Sequence, residues 1–209
     1  TVISATVGTT TLLDSGLASR PEFSAIWLTW WLGDTGGVLL FTPLLLAWKQ
    51  RPQFDWSAQR ALEAVFLLLS TLLVAQLVFG RSSPLAINHY PLAFLSLTTL
   101  IWAAVRFGKH GVTLGLFLVA ASAVTGTVGG SGPFVRADIN ESLLLMQAFM
   151  GVASIAALLL TASLSERQRT QLQLDRYHQE QANSLGHILE TSLNEIYMFE
   201  PQSLGFLNV

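Results

Sequence analysis

Apolar residues in this chain come in long blocks, with the polar residues gathered in short gaps between them. Blocks at residues 2–17, 24–48, 61–79, 91–105, 112–128 and 142–164 lie near the length of about 20 residues that crosses a hydrocarbon core, and charges fall almost wholly outside them. The pattern predicts an all-α protein: a polytopic transmembrane helix bundle of about six helices that continues into a cytoplasmic helical stalk. The first block is diluted by Thr9, Thr10, Thr11 and Asp14, whereas the third is rich in Leu and Val.

After the last block the pattern turns polar without an intervening proline. Leu172, Ala182, Leu185 and Leu189 recur near heptad positions among Gln, Arg and Glu, which predicts a weak coiled-coil seam suited to signal relay. The chain thus divides into a transmembrane domain at 1–165, a signalling helix or coiled-coil linker at 166–186 and the start of a further domain at 187–209. A seam needs a partner helix, so a homodimer through the stalk is expected. Thr1 and Val209 read as the ends of a piece of a longer protein.

Composition sharpens the picture. Of the 209 residues 51% are hydrophobic and 11% charged, against about 25% charged in ordinary soluble domains. The expected surroundings are therefore a lipid bilayer. A net charge of -2 with no basic cluster argues against nucleic acid as a partner. The absence of cysteine removes disulfides and thiolate chemistry, and the four histidines form no ligand pair, so no metal site and no catalytic residues are expected. The residues name no cofactor. His178 is followed by Gln179, unlike the His-Glu or His-Asp of phosphorylation boxes, and reads as a surface histidine. His89 and His110 read as loop residues at the membrane edge.

Lys49, Arg51 and Arg60 flank one gap, Arg106 and Lys109 the next on the same side, and Arg167 and Arg169 follow the last block. The other side holds Arg20, Arg81 and Arg136. The excess of basic residues predicts that the end of the last block is cytoplasmic, with 84–90 and 129–140 outside. Asp138 and Glu141 make a D-x-x-E helix start. Glycines four apart, Gly33/Gly37, Gly111/Gly115 and Gly126/Gly130, predict close helix packing.

Candidate chemistry concentrates in Trp27-Leu-Thr-Trp30-Trp31-Leu-Gly33-Asp34-Thr-Gly36-Gly37-Val-Leu-Leu-Phe41-Thr-Pro43. A carboxylate in mid-membrane costs about 2.5–3.5 kcal/mol on an insertion scale, so Asp34 is expected to face a partner rather than lipid. Helical spacing gathers Trp27, Trp31, Asp34, Val38 and Phe41 on one stripe, with Trp30 and Gly37 beside it. Trp27, Trp30, Trp31, Asp34, Gly37 and Phe41 are thus a candidate ligand site. The rival reading is an aromatic belt with Asp34 bonded to Thr98, Thr99, Gln76 or Gln147.

The segment Trp31-Leu-Gly-Asp34-Thr-Gly-Gly-Val-Leu-Leu-Phe-Thr-Pro43 resembles the signature of bacterial membrane-associated sensor domains of the first MASE class. Tyr90-Pro91-Leu-Ala-Phe, Ile101-Trp102-Ala-Ala-Val-Arg106-Phe-Gly108 and Asn140-Glu-Ser-Leu-Leu-Leu-Met-Gln147-Ala-Phe resemble its later helices. The resemblance implies a non-enzymatic sensory module in the bacterial inner membrane, usually of about eight helices. It feeds diguanylate cyclase, phosphodiesterase or histidine-kinase outputs, often through PAS domains. The tail from His187 to Val209 resembles the first helix and first hairpin of a PAS domain. Two other functions stay open. Interrupted helices at Gly33–Pro43 and Gly126–Pro133 would suit a small-molecule transporter. Gly-lined faces would suit a platform binding another membrane protein.

Overall fold

The structure, a computed structural model, describes residues 1–49, 57–80 and 92–206, with side chains as far as 189. Its described elements are all helical: α1 (Val2–Asp14), α2 (Phe23–Lys49), α3 (Ala58–Phe79), α4 (Leu95–Val128) and α5 (Ile139–Phe206), with short 3-10 turns at Arg20–Glu22 and Leu92–Phe94. Hydrocarbon offers backbone N–H and C=O groups no partners, and a helix satisfies them within one segment. Four stretches among the described residues are long and apolar enough to cross a membrane: Arg20–Lys49, Ala58–Phe79, Leu92–Val128 and Ile139–Leu189. Each of the six predicted blocks has a helical counterpart: the threonine-rich α1 has 13 residues and reaches only about 20 Å, and the fourth and fifth blocks, which share the stretch Leu92–Val128, are the two arms of α4.

That element, α4, is broken at Gly108, where φ is 54° and ψ is -141°. The arms 95–107 and 109–128 fold back on each other. Leu100 lies against Gly115, and the Ala103 carbonyl and Phe107 lie against Gly111. The polar gap expected around Arg106–Gly111 is thus a reversal at a single residue. It is possible because glycine alone tolerates this backbone conformation without strain. His110, expected in a loop, is buried in the second arm and meets the Trp48 ring edge-on at 5.7 Å.

Residues Thr1–Leu164 form one compact unit. Its interior is built from small side chains such as Ala75, Ala93, Ala103, Ala120, Ala123, Ala153 and Ala157, while Leu45, Leu62, Phe66, Leu73, Val152 and Leu159 point outward. A soluble protein would bury the large residues; close backbone approach inside and bulky residues outside is the arrangement lipid favours. Interior hydroxyls are spent locally: Thr9 donates to the Ala5 carbonyl at 2.8 Å, Thr71 to Leu67 at 2.8 Å and Thr161 to Ala157 at 2.7 Å. Two buried clusters result. One joins Phe79, Val119, Ala123, Met146 and Met150; the other joins Leu67, Leu100, Phe107, Leu116 and Ala157. Leu40 of α2 packs against both.

Gly126 and Gly130 do different work. A Cβ on Gly126 would lie 2.2 Å from the Phe79 carbonyl oxygen, so this glycine lets α3 and α4 touch. Gly130 instead has φ 75° and open space around it. It ends α4, with Ser131 N donating to Gly126 O at 2.8 Å and Gly130 N to Thr127 O at 3.1 Å. Beyond it Phe134 stacks on Phe79 with centroids 6.0 Å apart and closes that end of the bundle. At the start of α5, Asp138 accepts from Asn140 N at 3.1 Å. The return bond comes from Ser142, whose Oγ accepts from Arg136 N at 2.8 Å and donates to Asp138 O at 2.9 Å; Glu141 stays exposed.

Residues Ser165–Val209 are a second unit. Its described residues are helical as far as Phe206, and Leu172, Leu185 and Leu189 are 60%, 61% and 63% exposed. The hairpin expected from the PAS resemblance is absent among the described residues; a lone hairpin has no sheet here to pair with. Residues 207–209, like 50–56 and 81–91 with His89, Arg51 and Arg81, lie outside the described residues.

Gly108→Ala should cost about 1–3 kcal/mol through backbone strain, and Gly126→Ala should also destabilise by forcing α3 off α4. Gly37→Ala should be neutral or stabilise by up to about 1 kcal/mol, since nothing approaches it. Thermal unfolding of the detergent-purified variants checks the ranking.

Candidate functional site

The central helix of the candidate site, α2, is prepared at its start by a capping box. Ser19 donates to Glu22 Oε2 from its backbone N at 2.8 Å and from its Oγ at 2.6 Å. The helix then runs unbroken from Phe23 to Lys49 through Pro43. Neither predicted interruption forms a broken membrane helix, because Gly126–Pro133 is the end of α4 and the loop after it.

At 100° per residue, Thr29, Gly33, Leu40 and Ala47 share one side of α2. That side meets the bundle: Thr29 and Ala47 are buried, Leu40 joins the core clusters, and an added Cβ on Gly33 would sit 3.0 Å from Nε2 of Gln147 on α5. The stripe of Trp27, Trp31, Asp34 and Val38 therefore lies on the other side. Val38 is 55% exposed, and Trp27, Trp31 and Asp34 are half-buried.

The six predicted site residues do not share one pocket. Trp27 Nε1 donates to Thr6 Oγ1 at 3.0 Å, and its ring stacks on Trp31 with centroids 6.2 Å apart. Trp30 lies so close to Gly8 that a Cβ there would be 2.3 Å from its ring. Trp27 and Trp30 thus engage α1, with Trp31 stacked beside them. Phe41 turns instead toward α4, meeting Phe117 edge-on at 6.1 Å. Asp34 and Gly37 remain open. The Asp34 carboxyl has no hydrogen bond or ion pair among the described residues, and Gly36 and Gly37 have no atom within 4 Å of an added Cβ.

Two of the polar partners weighed for Asp34, Thr99 and Gln147, do not bond it. Thr99 donates to Ser96 O at 2.8 Å. Gln147 lies against Gly33, with its Oε1 buried and unpartnered, as is Thr35 Oγ1. A buried polar atom left unpaired costs about 1–3 kcal/mol. The turns around Asp34 thus hold more unsatisfied polarity than packing alone explains.

The other end of the bundle carries contacts that sequence reading missed. Arg106 donates to both carboxylate oxygens of Glu63, a forked pair between α3 and the α4 reversal. Lys49 and Lys109 border one crevice with Pro43 and Leu158. A lone Glu63 in an apolar block, opposite a family-like Ala-Val-Arg106, was the available signal. Among the described residues no group of three His, Cys, Asp or Glu could hold a metal ion.

No curated protein and no solved structure matches this chain. The MASE1 family model matches residues 1–168, which takes in α1 to α4 and the part of α5 inside the compact unit. The chain therefore belongs to the MASE1 family, whose members are membrane sensory domains of signalling receptors.

Proposed function

We propose that this domain sits in a bacterial inner membrane with the end of its last crossing on the cytoplasmic side. It would pass a stimulus along residues 166–186 to an output such as a diguanylate cyclase, phosphodiesterase or histidine kinase. One observation carries the reading. Lys49, Arg60, Arg106 and Lys109 gather at the end of the compact unit where Leu164 of α5 packs, next to Phe107 and its cluster. Basic residues concentrate on the cytoplasmic side of membrane proteins. In sequence the polar segment follows Leu164 with no proline before Pro201 and no glycine before Gly186. Its exposed Leu172, Leu185 and Leu189 give a second copy something to bury.

A second reading, assembly with another membrane protein, is favoured by the Asp34 face. An unpaired carboxyl beside Gly36 and Gly37, with Val38 exposed, is suited to a close-packed helix that donates a hydrogen bond. Either role makes Asp34 functional rather than structural.

The absence of cysteine makes the chain a clean background for labelling. Ser131→Cys should react with a membrane-impermeant maleimide in intact spheroplasts, and Gln171→Cys only after lysis; the reverse pattern would overturn the orientation. Within membranes Ala182→Cys and Leu189→Cys should form disulfide-linked dimers more readily than Ser184→Cys on the far side of the heptad, and equal yields at all three would remove the seam. Asp34→Leu should leave the thermal midpoint intact while abolishing stimulus-dependent output in the full-length receptor. Unchanged output in that variant would take Asp34 out of the mechanism.

A further inference from the structure

Between α3, both arms of α4 and Trp48 of α2 lies a cavity of about 190 Å³ that is half open along its side. Its walls include Leu67 and Thr71 of α3, Phe107 and His110 on either side of the α4 reversal, and Leu114. Almost all of this lining is carbon. The Thr71 hydroxyl is already spent on the Leu67 carbonyl at 2.8 Å, and no Asp, Glu, Lys or Arg lines the space. Small residues make the room: Ala64 and Ala103 line it where larger side chains would fill it, and Gly111 and Gly115 draw the two arms of α4 together beside it.

Two contacts fix the walls to each other. Near one end α3 is tied to α4 by the Glu63–Arg106 pair, and at the other by the Phe79 carbonyl against Gly126. The arms of α4 are already in van der Waals contact through Gly111 and Gly115. The space between Ala64 and Thr71 is therefore framed at both ends by contacts between α3 and α4. An apolar cavity of ~150 Å³ in a protein core stays dry and takes up benzene or xenon, whereas drug-sized ligands occupy about 300–1,000 Å³.

We propose that this cavity is a binding site for a small uncharged apolar molecule, about the size of one aromatic ring, that reaches it by way of the bilayer. Charged solutes, nucleotides and sugars find too little polar surface, beyond His110 and the already bonded Thr71, to replace their hydration. Leu67, Ala103 and Phe107 of the lining belong to the same buried cluster as Ala157 of α5, so occupancy pushes on the last membrane turns of that helix. That final step rests on the sensory reading above and gives its stimulus a chemical class; binding itself does not depend on it.

Trp48 on the rim supplies the readout. With the chain in lipid nanodiscs, iodobenzene should quench tryptophan emission saturably by heavy-atom contact, and Trp48→Phe should remove the saturable component. Ala64→Phe, which fills the space, should abolish saturation with the helical circular dichroism signal retained. Leu114→Ala, which enlarges it, should admit 1-iodonaphthalene where the parent chain does not, and this keeps the test intact should the filled variant misfold. Quenching that rises linearly with iodobenzene and is the same in the parent and Ala64→Phe chains would reflect partition into lipid and overturn the site. Loss of the site would leave the orientation and dimer measurements untouched, and failure of those would leave saturable binding standing.

Discussion

Backbone hydrogen bonding in hydrocarbon is the constraint to which the other features answer. A peptide group exposed to lipid has no alternative partner, so the chain can leave the helix only where a neighbouring segment covers the break. The α4 reversal is such a place. At Gly108 the backbone takes a conformation reserved for glycine, and the freed turn is covered because the two arms pack on each other through Gly111 and Gly115. The single-residue reversal also brings Arg106 within reach of Glu63.

Helix–helix contact follows from the same solvent. Lipid gives large apolar side chains no reason to turn inward, and dispersion between closely approaching backbones becomes the main cohesive term. The interior is accordingly rich in alanine, serine and threonine around a smaller set of large residues such as Phe79, Leu100 and Leu116, with the threonine hydroxyls returned to their own helices. Specificity comes from a few large residues set into gaps opened by glycine: Trp30 over Gly8, Gln147 over Gly33 and Phe79 against Gly126. Each glycine is matched to one neighbour, so four-residue glycine spacing alone is a poor guide to contact. Gly37 and Gly130 obey the spacing and touch nothing.

Hydropathy was enough to read the helical class, the membrane setting and the approximate ends of the long crossings, because charge and apolarity segregate so sharply. It was not enough to distinguish a loop from a reversal at Gly108, since both present the same polar gap of Arg106, Lys109 and His110. The Trp27–Phe41 segment showed a further limit. Helical periodicity correctly grouped Trp27, Trp31 and Asp34 on one stripe, yet periodicity carries no information about which neighbour covers that stripe. The indoles turn out to engage α1 or stack beside it, and the carboxyl is left over. The Glu63–Arg106 pair was hidden because its members lie 43 positions apart and only the tertiary fold brings them together.

The two ends of the bundle differ in a way that bears on signalling. At the end near Phe134 the contacts are aromatic and backbone-mediated: Phe79 stacks on Phe134 and Phe134 meets Phe149 at a tilt, with centroids 6.0 and 5.2 Å apart, and Gly126 locks α3 to α4. Such packing is rigid, since displacing one ring opens a void on the next. At the opposite end α3 and α4 are joined by a forked ion pair beside a reversal and an unfilled apolar space. An ion pair on flexible side chains tolerates small displacements that interlocked rings do not. A disturbance within the bundle will therefore be taken up mainly at the basic end, where Ala157 and Leu164 of α5 share the packing of Phe107 and the polar segment begins in sequence. On the proposed reading that end faces the output, and this unequal division of stiffness would let it move while the bundle stays assembled.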